Sequence, residues 1–390
     1  MVARGVGCGR VPPKCQRDEQ DAGDHKGPHH PTSSTLAPTD RPALGLASLL
    51  RLMLIGRSWR SPWQTFTDPD LLTYATIPQD DNLFSGVTLI EQHCDRAQYV
   101  QFALFQQFPE LAHGSFTRNG GVSTFPFQGL NVSVSSGDTF ENVLRNRYLA
   151  LQSLQIENYP CATAWMIHSA DVLRFDGGDW DDWRTDWPYR SYSVDGHELI
   201  WTTRPRRKAD AIITKQRGVA LAMSSADCIP MMFYDPVQHV IGIAHVGWRG
   251  AARGLAAATV NAMREQFGCQ PEYIYAGIGP SIGPGCNEVS EEVQRLFMGA
   301  QQFEVMPTDM RYRNLVRESA VFTVEELGHR GSLHLNVWET NRNQLLMAGL
   351  LPEHIELSGI CTRCEKERFY SYRGEHGKTG RFPSILALRA

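Results

Sequence analysis

The stretch ADAIITKQRGVALAMSSADCIPMMFYDPVQHVIGIAHVGWRG, residues 209–250, decides the fold. It holds four apolar runs, at 209–216, 219–224, 230–235 and 239–246, parted by turn-prone residues such as Gly218 and Asp235-Pro236. Short runs rich in β-branched side chains and bounded in this way predict strands. A fifth run, EYIYAGI at 272–278, reads alike. Between them the period lengthens: in 250–268, Ala251, Leu255, Ala258, Met263 and Phe267 fall on one face, as a helix requires. Segments 287–297 and 340–350 behave the same way. Upstream, GVTLIEQ (86–92) predicts a strand, and 97–109 a short helix or strand. Strands interleaved with helices predict an α/β protein.

The same stretch carries chemistry. Cys228 follows an acid, and His245 lies seventeen residues on, running into Gly-Trp-Arg-Gly. Thiolate and imidazole are the ligands zinc prefers, and a catalytic site uses three protein ligands. His168, in WMIHSADV, is the candidate third. Each residue alone also reads as core, Cys228 as a small buried hydrophobe and each histidine as a satisfied interior group. In HVGWRGAARGLAAA a strand runs through a glycine turn into a helix, a place suited to an anion, and Arg249 adds a forked donor there. Gly247 and Gly250 also fit a plain tight turn. Arg118, in SFTRNGGVS (115–123), lies beside an Asn-Gly pair that reads first as a hairpin turn. The Gly/Pro loop of 276–286 follows a strand, where loops often line sites.

The rest of the chain sets bounds. With 390 residues, 42% of them hydrophobic, a sizeable core is expected, and a net charge of −4 argues against a dedicated nucleic-acid or membrane-surface protein. Nine scattered cysteines point to a reducing compartment, with thiols as packing or ligands. The apolar run 43–56 is too short to span a membrane and contains Arg51, so a cytoplasmic protein is expected. Residues 1–42 read as a disordered extension, 43–85 as a poorly defined linker and 86–390 as the catalytic domain; Met53 offers an alternative start. Residues 174–208, rich in Trp, Asp and Arg, read as an insertion that decorates the surface. HIELSGICTRC (354–364) mimics the signature of zinc deaminases, but four residues between Glu356 and Cys361 cannot join two helix starts. Cys361 and Cys364 make half of a structural metal site, without a visible second half. A trinuclear copper cluster is disfavoured, because the chain has no His-x-His pair.

The stretch 209–255, with HGSFTRNGGVS, LNVSVSSGD followed by NR, MIHSADV, GIGPSIGPGCNEV and CTRCEKERFYSYRGEHGKTGR, resembles the YfiH-like family, long labelled polyphenol oxidase or laccase-domain proteins. The motifs run in the family's order from about residue 110 to the C-terminus, and ADC with HVGWRG is specific to it. The resemblance implies a layered αββα sandwich with mixed sheets. It implies a zinc-dependent purine nucleoside phosphorylase with adenosine deaminase side activity, copper being a second possible metal. Its substrates would be inorganic phosphate and adenosine, inosine, guanosine or methylthioadenosine. His168, Cys228 and His245 would be the metal ligands and catalytic set, and Arg147, Arg249 and Arg118 would contact phosphate or substrate. Two other readings stay open: a cysteine hydrolase using Cys228 and His245, as in deamidating toxins that share the fold, and a copper-dependent phenol oxidase.

Overall fold

The computed structural model describes residues 90–93, 97–177, 192–201, 207–327 and 330–390. The expectations for residues 1–85, and for the strand's start at 86–89, lie outside the described residues. Two six-stranded sheets dominate. The first is ordered β1 (Ile90–His93), β2 (Ala97–Gln101), β3 (Leu111–Gly120), β16 (Phe382–Leu388), β9 (Val219–Ser225) and β4 (Cys161–Ala162). The second runs β15 (Ile355–Leu357), β12 (Tyr275–Ile278), β10 (Ile229–Asp235), β11 (Val240–Val246), β8 (Ala211–Thr214) and β5 (Val172–Arg174). Two hairpins stand apart, β6 (Tyr192–Val194) with β7 (His197–Leu199), and β13 (Phe322–Leu327) with β14 (Arg330–Leu335). Most neighbours are antiparallel, but β4, β5 and β15 join as parallel strands, so both large sheets are mixed.

Strand alternation stacks the layers. In β10, Met232 and Tyr234 enter a core shared with Leu221 and Met223 of β9 and Leu386 and Leu388 of β16, which places that core between the sheets. The alternate residues Met231 and Phe233 pack instead with Leu255, Val260 and Met263 of the helix Leu255–Phe267. On the far side, Ala220, Ala222 and Ile385 meet Leu144, Leu149 and Leu151 of the helix Phe140–Ser153. The order is helix, sheet, sheet, helix, the layered sandwich that the family resemblance implied. Strands buried on both faces lose their polar alternation and read as continuous apolar runs, which is why 209–246 is legible. Each fully buried aliphatic side chain contributes about 1.5–3 kcal/mol to holding the layers.

Three details differ from the sequence reading. The helix expected across 250–268 is broken: a short helix, Trp248–Ala251, ends before Gly254, and the longer one starts at Leu255. Gly254 has φ +78, and a Cβ there would lie 2.8 Å from Tyr312 Cβ. The short piece is too brief to present a helix N-terminus to an anion. Segment 97–109 is neither one strand nor one helix but β2 followed by a 3-10 turn, Ala103–Phe105. The chain's last residues form β16, at the centre of the first sheet between β3 and β9.

Glu356, part of the deaminase-like decoy, accepts from the N–H groups of Ala103 (3.1 Å) and Leu104 (2.7 Å), which ties β15 to the turn after β2. Its carboxylate is therefore a structural cap. The described part of 174–208 is more than a surface decoration: Arg174 ends β5, Phe175 enters the core between the sheets, and Leu199 and Trp201 are buried in the outer core, where Arg145 also pairs with Asp195 and His197 stacks on Tyr148. Residues 178–191 and 202–206 lie outside the described set.

His113 in β3 sets a pH limit on this core. It is 2% exposed, and its Nε2 accepts the Phe102 N–H at 3.1 Å. Burial pushes its pKa from 6.5 down to about 4. Between those values the unfolded chain binds a proton the folded chain refuses, so stability is full above pH 6.5 and falls as pH drops toward 4. The wild type is expected to lose about 2–3 kcal/mol more than His113→Gln between pH 7 and 4 in urea titrations. Equal losses would mean that His113 is not the group responsible.

Candidate metal centre

The register of β10 and β11 explains the seventeen-residue spacing. Ile229 pairs with Val246 and Pro230 with His245, so Cys228 and His245 stand together at the open end of a hairpin. Strand directions bring more to that rim. β8 is antiparallel to β11 and parallel to β5, so the starts of β5, β8 and β10 and the end of β11 share one edge. Asp210 precedes β8 and His168 lies just ahead of β5. The ligand atoms of His168, Cys228 and His245 all lie within 4.8 Å of one another. The two imidazole centroids are 5.2 Å apart, at an interplanar angle of 70°.

Asp210 organises both imidazoles, and sequence reasoning missed it. It is 0% exposed. Its Oδ1 meets His245 Nδ1 at 3.1 Å, which leaves Nε2 as the coordinating nitrogen. Its Oδ2 accepts from the N–H groups of Ile167 (3.1 Å) and Ser169 (2.7 Å) and from the Ser169 hydroxyl. Those two amides flank His168, whose φ of +60 lies in the left-handed region. Holding a non-glycine residue there costs about 1–2 kcal/mol, and the carboxylate fixes the strained turn from both sides. Arg253 completes the clamp by donating to the His168 carbonyl at 2.9 Å while it also holds the carbonyls of Val305 and Met306. The available signal for Asp210 was an acid set directly before the apolar run AIIT.

Asp227 holds the other side. Its φ is +83, Oδ1 accepts from Thr362 (2.8 Å) and Ser371 (2.7 Å), and Oδ2 accepts the Arg373 N–H at 2.6 Å. The Ile282 N–H donates to its carbonyl, which draws the Gly/Pro loop of 276–286 alongside. The residue before Cys228 thus pins the thiol's turn to two C-terminal segments.

Electrostatics favour a thiolate. Burial alone raises the Cys228 pKa, but the charge of His245 and hydrogen bonds from both imidazoles bring it down to about 6. Burial depresses His245, and the Cys228 and Asp210 charges override it, raising the imidazole to about 10. One thiolate, two imidazoles and a carboxylate behind one ring match the donor set and outer shell of a zinc-type site.

Gly247 shows how tight the site is. Its backbone is not left-handed, so a turn alone does not require glycine, yet a Cβ there would stand 2.8 Å from Cys228 Sγ and 3.4 Å from His168 Cδ2. Overpacking of this kind costs about 1–3 kcal/mol. Gly247→Ala is expected to lower the unfolding temperature by a few degrees and to weaken metal binding about 10- to 100-fold, read by competition with a chromophoric chelator. Undiminished affinity would show that the pocket yields to the extra methyl group.

The expected cationic residues are dispersed. Arg249 is exposed, with its guanidinium 4.1 Å over Trp248. Arg118 pairs with Glu375 at 2.9 Å, donates to the Lys366 carbonyl and lines a cavity of about 690 Å³ with Phe125, Lys366 and Glu375. Arg147 is buried in the outer core; its Nε donates to the Val132 carbonyl and its guanidinium lies 5.1 Å over Trp201. Among the described residues, Arg118 and Arg147 make their hydrogen bonds away from the cluster. A second group of ligand-type atoms, from Cys286, Cys361 and Cys364, also lies within 4.8 Å. This second set also offers donors for a metal, and Cys286 is the member that the sequence reading did not join to Cys361 and Cys364.

A helix-flanked pair of mixed sheets, with a Cys-His-His cluster on the rim of one, defines an α/β protein with a pocket able to hold one metal ion. The chain belongs to the family described as multi-copper polyphenol oxidoreductase laccase, whose model matches residues 112–389, and within it to the YfiH-like proteins. It is 30% identical over 284 residues to the purine nucleoside phosphorylase YlmD of Bacillus subtilis, covering 73% of this chain and 91% of the relative. It is 30% identical over 287 residues to the purine nucleoside phosphorylase YfiH of Escherichia coli, covering 72% of this chain and 97% of that one. The crystal structure of YlmD from Geobacillus stearothermophilus superposes with a TM-score of 0.62 at 28% identity, covering 78% of this chain and 100% of that one. Among the described residues, no helix is long and apolar enough to cross a membrane.

Proposed function

We propose that the protein is a zinc-dependent purine nucleoside phosphorylase with adenosine deaminase side activity. The observation that carries this reading is the convergence of His168, Cys228 and His245 within 4.8 Å, in a chain related to proteins named purine nucleoside phosphorylases. His168, Cys228 and His245 would hold the metal; bound there, it supplies Lewis-acid polarisation of a substrate oxygen or a water. Adenosine, inosine, guanosine or methylthioadenosine is the nucleoside. A phosphate oxygen bonds to C1′ as the C–N glycosidic bond breaks, and the base leaves with the electron pair. Asp210 keeps the two imidazoles aimed, and Arg249, Arg118 and Arg147 are the candidate contacts for substrate anions. The cavity beside Arg118, at about 690 Å³, is of the size that takes a nucleoside.

A cysteine hydrolase is the second reading, favoured by one geometric fact: Cys228, His245 and Asp210 form a thiol–imidazole–carboxylate relay. The second imidazole at the thiol, His168, favours a metal instead. Metal-analysed protein should convert adenosine, inosine and guanosine to base and ribose 1-phosphate only when phosphate is present. Iodoacetamide should alkylate Cys228 only after chelation. Alkylation at full rate without chelator, with no nucleoside consumed, would favour the hydrolase.

A further inference from the structure

Other arginines of the fold are already occupied. Arg118 is held by Glu375, Arg253 by backbone carbonyls, Arg147 by Val132 and Trp201, and Arg373 donates to the Glu288 carbonyl. Arg381 differs. It precedes β16, whose Phe382 pairs with Ser225 of β9, so the register sets Arg381 opposite Ala226, two residues from the thiol. Its backbone is fixed on both sides: its N–H donates to Asn131 Oδ1 and its carbonyl accepts from Val132. In the half-buried guanidinium, Nη1 donates to the carbonyls of Thr379 (3.1 Å) and Gly380 (2.9 Å). Those bonds orient the fork and leave the Nε–Nη2 edge without a protein acceptor among the described residues.

The carboxylates within its field do not take that edge. Asp227 is used by Thr362, Ser371 and the Arg373 N–H. Glu375 is used by Arg118, the Ser371 N–H and Thr379. Arg381 also lies within electrostatic reach of Cys228 itself. An oriented guanidinium edge, half out of water and facing the cluster's turn, is the geometry that grips an oxyanion with two parallel N–H bonds.

We propose that the Nε–Nη2 edge of Arg381 is the oxyanion seat of the Cys228 pocket and that inorganic phosphate is its ligand. The proposal rests on the phosphorylase reading and names the residue that places the second substrate beside the cluster. Arg381 is opposite the thiol's turn by strand register, whereas Arg249 points outward on Trp248 and Arg147 sits in the outer core.

Metal-loaded wild type, Arg381→Gln and Arg381→Lys are to be compared in two measurements. In phosphorolysis, Arg381→Gln should raise the KM for phosphate about 10- to 100-fold while the KM for the nucleoside stays within about twofold. Arg381→Lys, which keeps the charge and loses the fork, should fall between, and added guanidinium ion should partly rescue Arg381→Gln. In calorimetric titration with inorganic phosphate alone, wild type should bind and Arg381→Gln should lose that binding by the same factor. Equal phosphate affinity in all three proteins, or no phosphate binding by wild type, overturns the assignment. If Arg381→Gln does not fold by circular dichroism, Arg381→Lys decides, and unchanged phosphate affinity there overturns it too. If wild type turns over no nucleoside but the titrations still separate, the phosphorylase reading fails and the oxyanion seat stands.

Discussion

Cys228→Ala is expected to strip the metal from the protein and lower nucleoside phosphorolysis at least about 10³-fold. The thiol is the one soft ligand of the cluster, and two imidazoles alone hold a divalent ion far more weakly than three protein ligands do. The fold should survive, because Cys228 stands at the rim, ahead of β10, and belongs to no apolar core. An unfolding temperature within a few degrees of wild type, together with loss of stoichiometric zinc by elemental analysis, is the expected pair of results. A variant that keeps one zinc per chain, or retains full turnover, would remove Cys228 from the site.

Asp210→Ala should do two things at once. It takes the carboxylate from His245 Nδ1 and leaves the buried N–H groups of Ile167 and Ser169 without their acceptor. Breaking a buried charged network of this kind costs about 3–5 kcal/mol, so the denaturation midpoint should fall well below that of Cys228→Ala. The loss of aim should also weaken metal binding about 10- to 100-fold. Asp210→Asn separates the effects: an amide oxygen can still accept from Ile167 and Ser169, so stability should recover more than metal affinity does. Wild-type metal affinity in both variants would show that the imidazoles are aimed by their backbone alone.

These expectations draw on unequal amounts of sequence information. The strands of 209–246 were legible because burial on both faces leaves unbroken apolar runs. β16 was passed over, although its residues are all buried, because nothing local says that the last residues of a chain will enter the middle of a sheet. The helix expected through Gly254 failed at one left-handed residue, since apolar spacing carries no sign of φ. The three ligand-type residues were legible by chemical type and by family resemblance. Asp210 was not, because an acid before a strand looks the same whether it faces water or an imidazole and a strained turn. The sequence marked Arg147 by its motif, and only the fold shows it buried with its guanidinium over Trp201.

Residue chemistry along the chain was enough to specify an interleaved α/β architecture, a soft-metal donor set and the family, because apolar period and ligand type are local properties. Strand register and direction alone decided that the beginnings of β5, β8 and β10 meet the end of β11, that Asp210 stands behind the His245 ring and beside the His168 turn, and that the Arg381 backbone lies opposite Ala226. The reason is physical: hydrogen-bonded pairing between distant segments sets which side chains share a rim, and no single segment encodes its partner's register.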